Sequence, residues 1–556
     1  MDDRAMRNDG FDGADHVYLR SEVKVEPLSA RWYAWSHLLS PVQHALNIAF
    51  RQLPMLQSFI SNPGLHARAA QDPKFLCAPF MHLTPADVPA VRALLVQTQS
   101  HSARLIQLAH DLMQLSRQLR DGATGFSVEQ FYRALPESLA GLVEITYDAS
   151  NHPALRVLEE LVYLDGLDDP GLQELSFFSA ADTERPFFLN TPRLASPSRI
   201  DVQIPFADER LDELAASRIQ PVSFSRLADS LQIGTERRER FREFFSSTPP
   251  VRKDPNYSGD AVRVRYLGHA CVLVQTSRVS ILIDPVVAWD AAGDGRFTFN
   301  DLPDFIDYVF LTHNHQDHMM PEVLLQLRKR IGTVLVPGSN SYNIADASVS
   351  LLLQSLGFKN VQVLSSLQEL TIPDGRLVAL PSYGEHADLS IASKHGLFLD
   401  IKGHSIALLA DADCVDRMLY RRLARAMGKV DLLFIGMECA GAPLSWLYGP
   451  YLTDAPSRKD DESRRLSGSD CERAWAVVEE FGCAQAFVYA MGQEPWLKHI
   501  LGLQYTADSK QMVESDKFVS RCREAGIGSD RLYGAREMVL AKRSPKSRRV
   551  RLATGQ

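Results

Sequence analysis

The most informative segment of the chain runs Asp307-Tyr-Val-Phe-Leu-Thr-His313-Asn-His315-Gln-Asp317-His318. An apolar run leads there directly into four side chains that can bind metal. Side chains alternate in an extended segment, so His313 and His315 point the same way and can share one metal ion. The turn that follows directs Asp317 and His318 toward a second ion nearby. The sequence therefore predicts a two-metal site directly after a buried strand.

Short β-rich runs dominate the chain from residue 262 onward. These runs are VRVRYL, CVLVQT, SILID, DYVFLTH, TVLVP, VQVL, LVALPS, LFLDI, SIALLAD, DLLFIG and AFVYA. Helical patterns interrupt them at PEVLLQLRKRI, VDRMLYRRLARAM, CERAWAVVEEFG and KQMVESDKFVSRCREAG. Strands followed by strand–helix alternation favour two packed sheets with helices outside them. We therefore expect an α/β domain with αββα layering.

The first half of the chain has a different pattern. From about residue 27 to 165 the apolar residues recur at helical spacing, as in WSHLLSPVQHALNIAF, VRALLVQTQSHSARLIQLAHDLMQL and VEQFYRALPESLAGLVEI. Shorter pieces follow, including a strand at RIDVQIPF and a helix at ERLDELAAS. The segment SSTPPVRKDPNYSGD, residues 246–260, is typical of a linker. We predict a mainly helical α+β domain over residues 1–255 and the αββα domain over residues 256–545.

Composition excludes several classes of function. The 556 residues carry a formal charge of −8, and the basic stretch 543–551 is short, so we expect no nucleic-acid partner. The first residues are polar and acidic, and no long apolar run follows, so we expect no membrane association and a cytoplasmic protein. The seven cysteines are scattered without a CxxC motif, which argues against a disulfide framework or a zinc ribbon.

Over about residues 262 to 500 the chain resembles the metallo-β-lactamase superfamily. The opening VRYLGHACVLVQTSRVSILIDP is similar to the paired first strands of that superfamily, which end in an aspartate, here Asp284. The resemblance implies that Asp284 supports the metal-binding loop, residues 313–318, without binding metal. His269, in LGHA, lies where some branches place a residue near the site, but a buried structural histidine fits it at least as well. We leave His269 out of the predicted ligand set.

Two further ligands follow from the same resemblance. Superfamily members carry an aspartate that bridges both metals after a later strand, and SIALLADAD places Asp411 there, with Asp413 as the neighbouring alternative. Members usually carry a histidine after a glycine as well. In PSYGEHADLS the position after Gly384 is Glu385, and His386 comes next. The resemblance therefore implies that a carboxylate replaces an imidazole in this chain.

The last histidine ligand of the superfamily has no counterpart here. Its expected position falls in AFVYAMGQEPW, and His499, several residues farther on, fits a surface or core role better. One metal would therefore keep open coordination positions. The proposed shell holds three histidines and three carboxylates, and carboxylates stabilise the higher oxidation state of iron. These features favour two iron ions over zinc.

The altered ligand set, behind an N-terminal half of about 250 residues, resembles the diiron β-hydroxylases of nonribosomal peptide pathways. The resemblance implies a monooxygenase that hydroxylates the β-carbon of an amino acid held as a thioester on a carrier domain of a nonribosomal peptide synthetase. Dioxygen is the co-substrate, and an electron-transfer protein supplies two external electrons. The N-terminal half is implied to frame the site entrance and to contribute to a homodimer.

The same resemblance implies a role for each ligand. One iron is held by His313, His315 and Glu385, the other by Asp317 and His318, and Asp411 bridges the two. Glu385 and Asp411 are therefore the predicted catalytic residues.

Two other functions compete with this interpretation. Most proteins of this fold are hydrolases that cleave lactones, thioesters, phosphodiesters or amides with a metal-bound hydroxide, so a dinuclear zinc hydrolase is the main alternative. A binding protein that has lost catalysis is the second, and the six ligand-capable residues argue against it. Glu385, the missing late histidine and the large N-terminal half favour the oxygenase over the hydrolase.

Overall fold

The computed structural model describes residues 15–167, 169–290 and 295–541. The prediction of a cytoplasmic protein used the polar N-terminal stretch, and the prediction of no nucleic-acid partner used the basic stretch 543–551. Both stretches lie outside these ranges except for residues 15 and 16. In the described part of the chain, no helix combines the length and the apolar character needed to cross a bilayer.

Within the described residues, the C-terminal half contains two seven-stranded sheets. The strands of the first sheet, from edge to edge, are Val361–Leu364, Ile331–Pro337, Ile306–Phe310, Ser280–Ile283, Val272–Gln275, Val262–Tyr266 and Arg536–Leu540. Those of the second are Glu369–Ile372, Gly375–Leu380, Gly396–Ile401, His404–Leu408, Leu432–Gly436, Gln485–Tyr489 and Gly528–Arg531. The strand that precedes the metal-binding loop pairs in parallel with Ser280–Ile283 and Ile331–Pro337.

Alternating side chains on these strands build the layers of a sandwich. Ile281 and Leu377, one from each sheet, belong to the buried cluster that the two sheets share. Their neighbours face outward, because successive side chains on a strand point to opposite sides. Val378 packs with the helices that cover the second sheet, and Leu282 packs with the helices and the N-terminal half that cover the first. The predicted αββα layering is confirmed.

Helices cover both outer faces. Those on the first sheet are Pro321–Leu327 and Val349–Ser355; those on the second are Arg417–Met427, Cys471–Phe481 and Lys510–Glu524. Shorter helices connect the strands at Leu444–Tyr448, Arg458–Ser463 and Lys498–Leu501. Local chemistry sets their ends: Asp470 accepts a hydrogen bond from Arg473 N at the start of its helix, and Gly482 adopts a left-handed conformation at its end.

The N-terminal half combines helices with small sheets. The helices are Ser36–Leu39, Pro41–Asn47, the π-helical Ile48–Gln52, Leu53–Ser61, Pro63–Ala69, Val88–His101, Ala103–Gly122, Glu129–Arg133, Glu159–Leu164, Arg210–Ala216, Phe224–Ser230 and Thr235–Arg242. The strands are Trp32–Tyr33, Lys24–Ser29, Gln173–Phe178 and Ile200–Gln203 in one sheet, Val222–Ser223, His16–Leu19 and Phe245–Ser246 in another, and the hairpin Val143–Tyr147 with Pro153–Val157. The predicted strand in RIDVQIPF and helix in ERLDELAAS are both present.

One predicted helix in this half is wrong. Only Glu129–Arg133 of the segment VEQFYRALPESLAGLVEI is helical, and Val143–Tyr147 is a strand paired with Pro153–Val157. Pro136 cannot continue a helix, because it lacks a backbone N–H. The alternating Val143 and Ile145 beyond it bury one face of the hairpin.

The two halves share one continuous core. The largest cluster of buried apolar side chains extends from the N-terminal half into the first sheet and its helices. Buried polar contacts join the halves as well: Ser36 donates to Asn314 O (2.6 Å) and the Tyr33 hydroxyl donates to Glu322 (2.9 Å). Residues 247–261 contain no helix or strand, which supports the division at 255/256; the division itself stays a prediction.

Candidate metal centre

The metal-binding loop occupies the gap between a strand and a helix. The strand Ile306–Phe310 ends in the core, and the helix Pro321–Leu327 begins at a proline. Between them the chain turns, with the His318 and Met319 amides both donating to His315 O (3.1 and 2.9 Å). This turn brings the four ligand-capable side chains of the loop to one buried place.

Glu385 forms a first group of donor atoms with His313 and His315. Its carboxylate lies 3.3 Å from His313 Nε2 and 2.6 Å from His315 Nδ1. The preceding Gly384 has φ +91°, and a Cβ there would lie 2.5 Å from Cβ of Asp413. Glycine is therefore required at this position, and it brings the glutamate to the metal-binding loop.

Asp411 lies between the first group and a second. Its Oδ2 is 3.0 Å from His318 Nε2 and 3.9 Å from His313 Nε2, and Asp317 Oδ2 is 3.7 Å from the same His318 nitrogen. The structure thus brings all six predicted ligands together, with Asp411 between His313 and His318.

The alternatives left open by the sequence have other contacts. Asp413 forms an ion pair with Arg473 and accepts a hydrogen bond from Ser469 Oγ (3.2 Å). His499 lies 3.9 Å from Glu322, in the buried polar network between the two halves. His386 is in the second layer of the cluster, where its Nε2 is 3.7 Å from Glu385. None of the three belongs to a group of donor atoms close enough to share an ion within the described residues.

Asp284 organises the loop from behind. It accepts hydrogen bonds from Thr312 N (2.7 Å), from Thr312 Oγ1 (2.6 Å) and from His318 Nδ1 (2.8 Å). Because the Thr312 hydroxyl donates to Asp284, it accepts from His313 Nδ1 (3.0 Å). Both histidines therefore carry their proton on Nδ1, which leaves Nε2 free to bind metal. Asp284 occupies the supporting position that the resemblance implied.

His269 also belongs to this outer layer. The Gly492 amide donates to His269 Nδ1 (3.0 Å), so the ring proton is on Nε2, which donates to Asp317 Oδ2 (3.0 Å). A protonated nitrogen cannot bind metal. His269 therefore orients Asp317, although its ring atom is close enough to Asp317 and His318 to form a donor group by distance alone.

Tyr448 is a functional residue that the sequence prediction missed. Its hydroxyl lies 2.7 Å from His315 Nε2 and 2.7 Å from His386 Nδ1. With His315 Nδ1 facing Glu385, the His315 proton is on Nε2 and is donated to Tyr448, which donates in turn to His386. Tyr448 lies in the short helix Leu444–Tyr448, whose sequence carries no motif that would identify it.

The donor set has the electrostatics of an ion site. His313 Nε2, Glu385 Oε2 and Asp411 Oδ1 are buried without a hydrogen-bond partner. Burial raises the pKa of Glu385 to about 7, against the opposing effect of His315. Burial lowers the pKa of His318, but the charges of Asp411, Asp317 and Asp284 outweigh it and hold that pKa well above its usual value. The cluster thus favours positive charge at its centre, and three imidazole and three carboxylate donors fit two iron ions.

A cavity of about 380 Å³ leads to this cluster. Glu385 and Asp411 line it, together with Glu438. The remaining wall is largely apolar, with Trp446, Leu447, Leu466, Leu501 and Leu503. Cys77 and Ala78 of the N-terminal half complete it.

Comparisons with known proteins cover almost the whole chain. Residues 18–249 match the N-terminal domain of diiron non-haem β-hydroxylases, and residues 263–441 match a β-lactamase superfamily domain. A 4-amino-L-phenylalanyl carrier-protein 3-hydroxylase of Streptomyces venezuelae is 33% identical over 94% of this chain and 99% of its own length. The crystal structure of CmlA, a diiron β-hydroxylase of that organism, superposes with a TM-score of 0.88 at 33% identity, over 94% of this chain and 99% of the other.

A metal-dependent hydrolase of Christiangramia forsetii is 24% identical over only 25% of this chain and 66% of its own length. The wider match therefore favours the oxygenase over the zinc hydrolase, and it confirms the resemblance found in the sequence. The chain belongs to the diiron non-haem β-hydroxylases.

Proposed function

We propose that this enzyme hydroxylates the β-carbon of an amino acid held as a thioester on a carrier domain of a nonribosomal peptide synthetase. The observation that carries the proposal is the cluster of three histidines and three carboxylates at the cavity of about 380 Å³. The relative from Streptomyces venezuelae, which acts on an aminoacyl carrier protein, supports the form of the substrate.

The proposed ligand assignment follows the distances between donor atoms. One iron would be held by His313, His315 and Glu385, whose donor atoms form one compact group. Asp317 and His318 would hold the other, with His269 orienting Asp317 from the outer layer. The position of Asp411 between His313 and His318 supports a bridging role. When bound, the irons supply the redox chemistry that zinc lacks.

The overall reaction consumes dioxygen, two electrons and two protons for each C–H bond hydroxylated, and it releases one water molecule. The aminoacyl group does not supply the two electrons, so we propose an electron-transfer protein as a second partner. We propose in addition that the protein is a homodimer.

The protein's own residues prepare the site for this reaction. Asp284, Thr312 and Tyr448 fix the proton positions of the metal-binding histidines, so that the donor atoms face inward before substrate arrives. The apolar wall at Trp446 and Leu503 keeps water from the reacting C–H bond and favours an apolar amino-acid side chain. A tethered substrate adds binding energy away from the reacting carbon, which helps to position it.

The test compares the tethered and the free amino acid. The chemically reduced enzyme is given oxygen-18 gas and either the aminoacyl carrier domain or the free amino acid, and products are followed by mass spectrometry. We expect one oxygen-18 atom in the tethered product and a far slower reaction of the free amino acid. Equal rates on both would remove the carrier-dependent part of the proposal, and thioester cleavage without oxygen incorporation would indicate a hydrolase.

A further inference from the structure

Glu438 is a carboxylate in the cavity wall. It belongs neither to the predicted metal ligands nor to the residues that support them. It follows the strand Leu432–Gly436 by two residues, and its backbone is held by a hydrogen bond from Gly468 N to Glu438 O (3.0 Å). The same strand end is joined to the segment of Asp411, because Gly436 N donates to Ala410 O (2.8 Å). Glu438 is thus fixed beside the candidate metal centre.

The side chain of Glu438 has the character of a binding group for a cation. It is partly buried, it lines the cavity, and Asp411 and Asp317 are close enough to repel its charge. It forms no ion pair with any described arginine or lysine. Arg465 also lines the cavity, but its Nε donates to Gly441 O (2.7 Å). Burial and the neighbouring carboxylates hold the pKa of Glu438 well above its usual value, and a cation beside it would favour the ionised form, so a cationic ligand would be bound favourably there.

Glu438 is also separate from the candidate iron ligands. None of the groups of donor atoms that could share an ion within the described ranges includes it. The cation that it fits is therefore brought by the substrate. An aminoacyl thioester carries one cationic group in every case, the α-ammonium, which lies two bonds from the β-carbon. When the β-carbon is next to the irons, the ammonium must meet the cavity wall close to them, which is where Glu438 lies.

We propose that Glu438 binds the free α-ammonium group of the aminoacyl thioester, and so selects aminoacyl over simple acyl substrates and orients the β-carbon. The inference rests on the proposed function. Glu438 acts here as a binding residue, and it neither holds iron nor transfers a proton. The enzyme then discriminates between substrates at their amino group, independently of the apolar wall that receives the side chain.

The test pairs a change in the substrate with a change in the protein. Carrier domains bearing L-phenylalanyl or 3-phenylpropanoyl groups in unreactive amide linkage differ only in the α-amino group. Their affinities for the iron-loaded enzyme are measured without oxygen, for wild type, Glu438→Gln and Glu438→Asp. A charge-assisted hydrogen bond predicts a preference of about 10- to 100-fold for the amino probe in wild type. Glu438→Gln should remove most of that preference, and Glu438→Asp should restore part of it.

The control variant is Glu472→Gln, which changes an exposed glutamate paired with Arg521 on the surface and should leave both affinities unchanged. The proposal is overturned if wild type binds both probes equally, if the preference survives in Glu438→Gln, or if that variant loses iron, which would make Glu438 a ligand. Failure of the wild-type enzyme to bind either carrier would instead count against the proposed function.

Discussion

The supporting role of Asp284 can be tested by Asp284→Asn, which keeps the size of the side chain and removes its charge. The carboxylate is fully buried and accepts three hydrogen bonds, at 2.6, 2.7 and 2.8 Å. An amide has a single acceptor oxygen and presents an NH₂ group to at least one of these donors. Loss of charge-assisted hydrogen bonds and one unpaired buried donor should cost about 2–4 kcal/mol of unfolding free energy.

The same change should weaken metal binding selectively. His318 loses the partner that keeps its proton on Nδ1, and removal of such an outer-layer partner typically lowers metal affinity about 10- to 100-fold. We expect the variant to release the iron held by His318, which contacts Asp284 directly, to a chelator more readily than the other iron, and iron analysis during chelator titration measures this. Urea unfolding of the metal-free protein gives the change in stability separately.

Asp307→Asn is a matched control. Asp307 is the second residue of the strand Ile306–Phe310, which precedes the metal-binding loop, and it accepts two hydrogen bonds from Ser280, both 2.8 Å long, but it contacts no histidine of the cluster. This variant should lose stability and keep both irons with unchanged affinity. Equal iron binding by Asp284→Asn and wild type would refute the reasoning.

Three further changes test other parts of the site. Glu385→His should retain metal but abolish oxygen-dependent hydroxylation, measured by product mass; unchanged hydroxylation would show that Glu385 is not the ligand. Tyr448→Phe leaves ring nitrogens of His315 and His386 unpaired, so it should cost about 1–3 kcal/mol of stability and weaken iron retention; an unaltered melting temperature would contradict this. Gly384→Ala should lower the free energy of unfolding for two reasons. The left-handed conformation costs alanine about 1–2 kcal/mol, and the added Cβ overlaps with Asp413. Gly141→Ala has the left-handed conformation without a close neighbour, so it should cost less in urea unfolding.

The catalytic half is predictable because its signals are local. Each strand that the sequence predicts is an apolar run of the right length, and the histidines of the metal-binding loop directly follow one of them, so periodicity alone places them on one side. Strand Glu369–Ile372 and the two C-terminal strands Gly528–Arg531 and Arg536–Leu540 are absent from the prediction, because their residues are largely polar or exposed at sheet edges.

Glu385 and Asp411 cannot be joined to the loop by spacing, since they are 67 or more residues away along the chain from His318 (385 − 318 = 67). Their positions in the sequence came from the resemblance. Tyr448 and Glu438 belong to no sequence pattern at all. They reach the centre only because the second sheet and the helix Leu444–Tyr448 pack beside it.

The central claim is that the cluster holds two iron ions, and the most direct measurement is metal analysis with optical and Mössbauer spectra of the protein purified after expression with ample iron. We predict about two irons per chain and the absorption and magnetic coupling of an oxo- or hydroxo-bridged diferric pair. Stoichiometric zinc without iron, or iron as isolated mononuclear ions, would contradict the account.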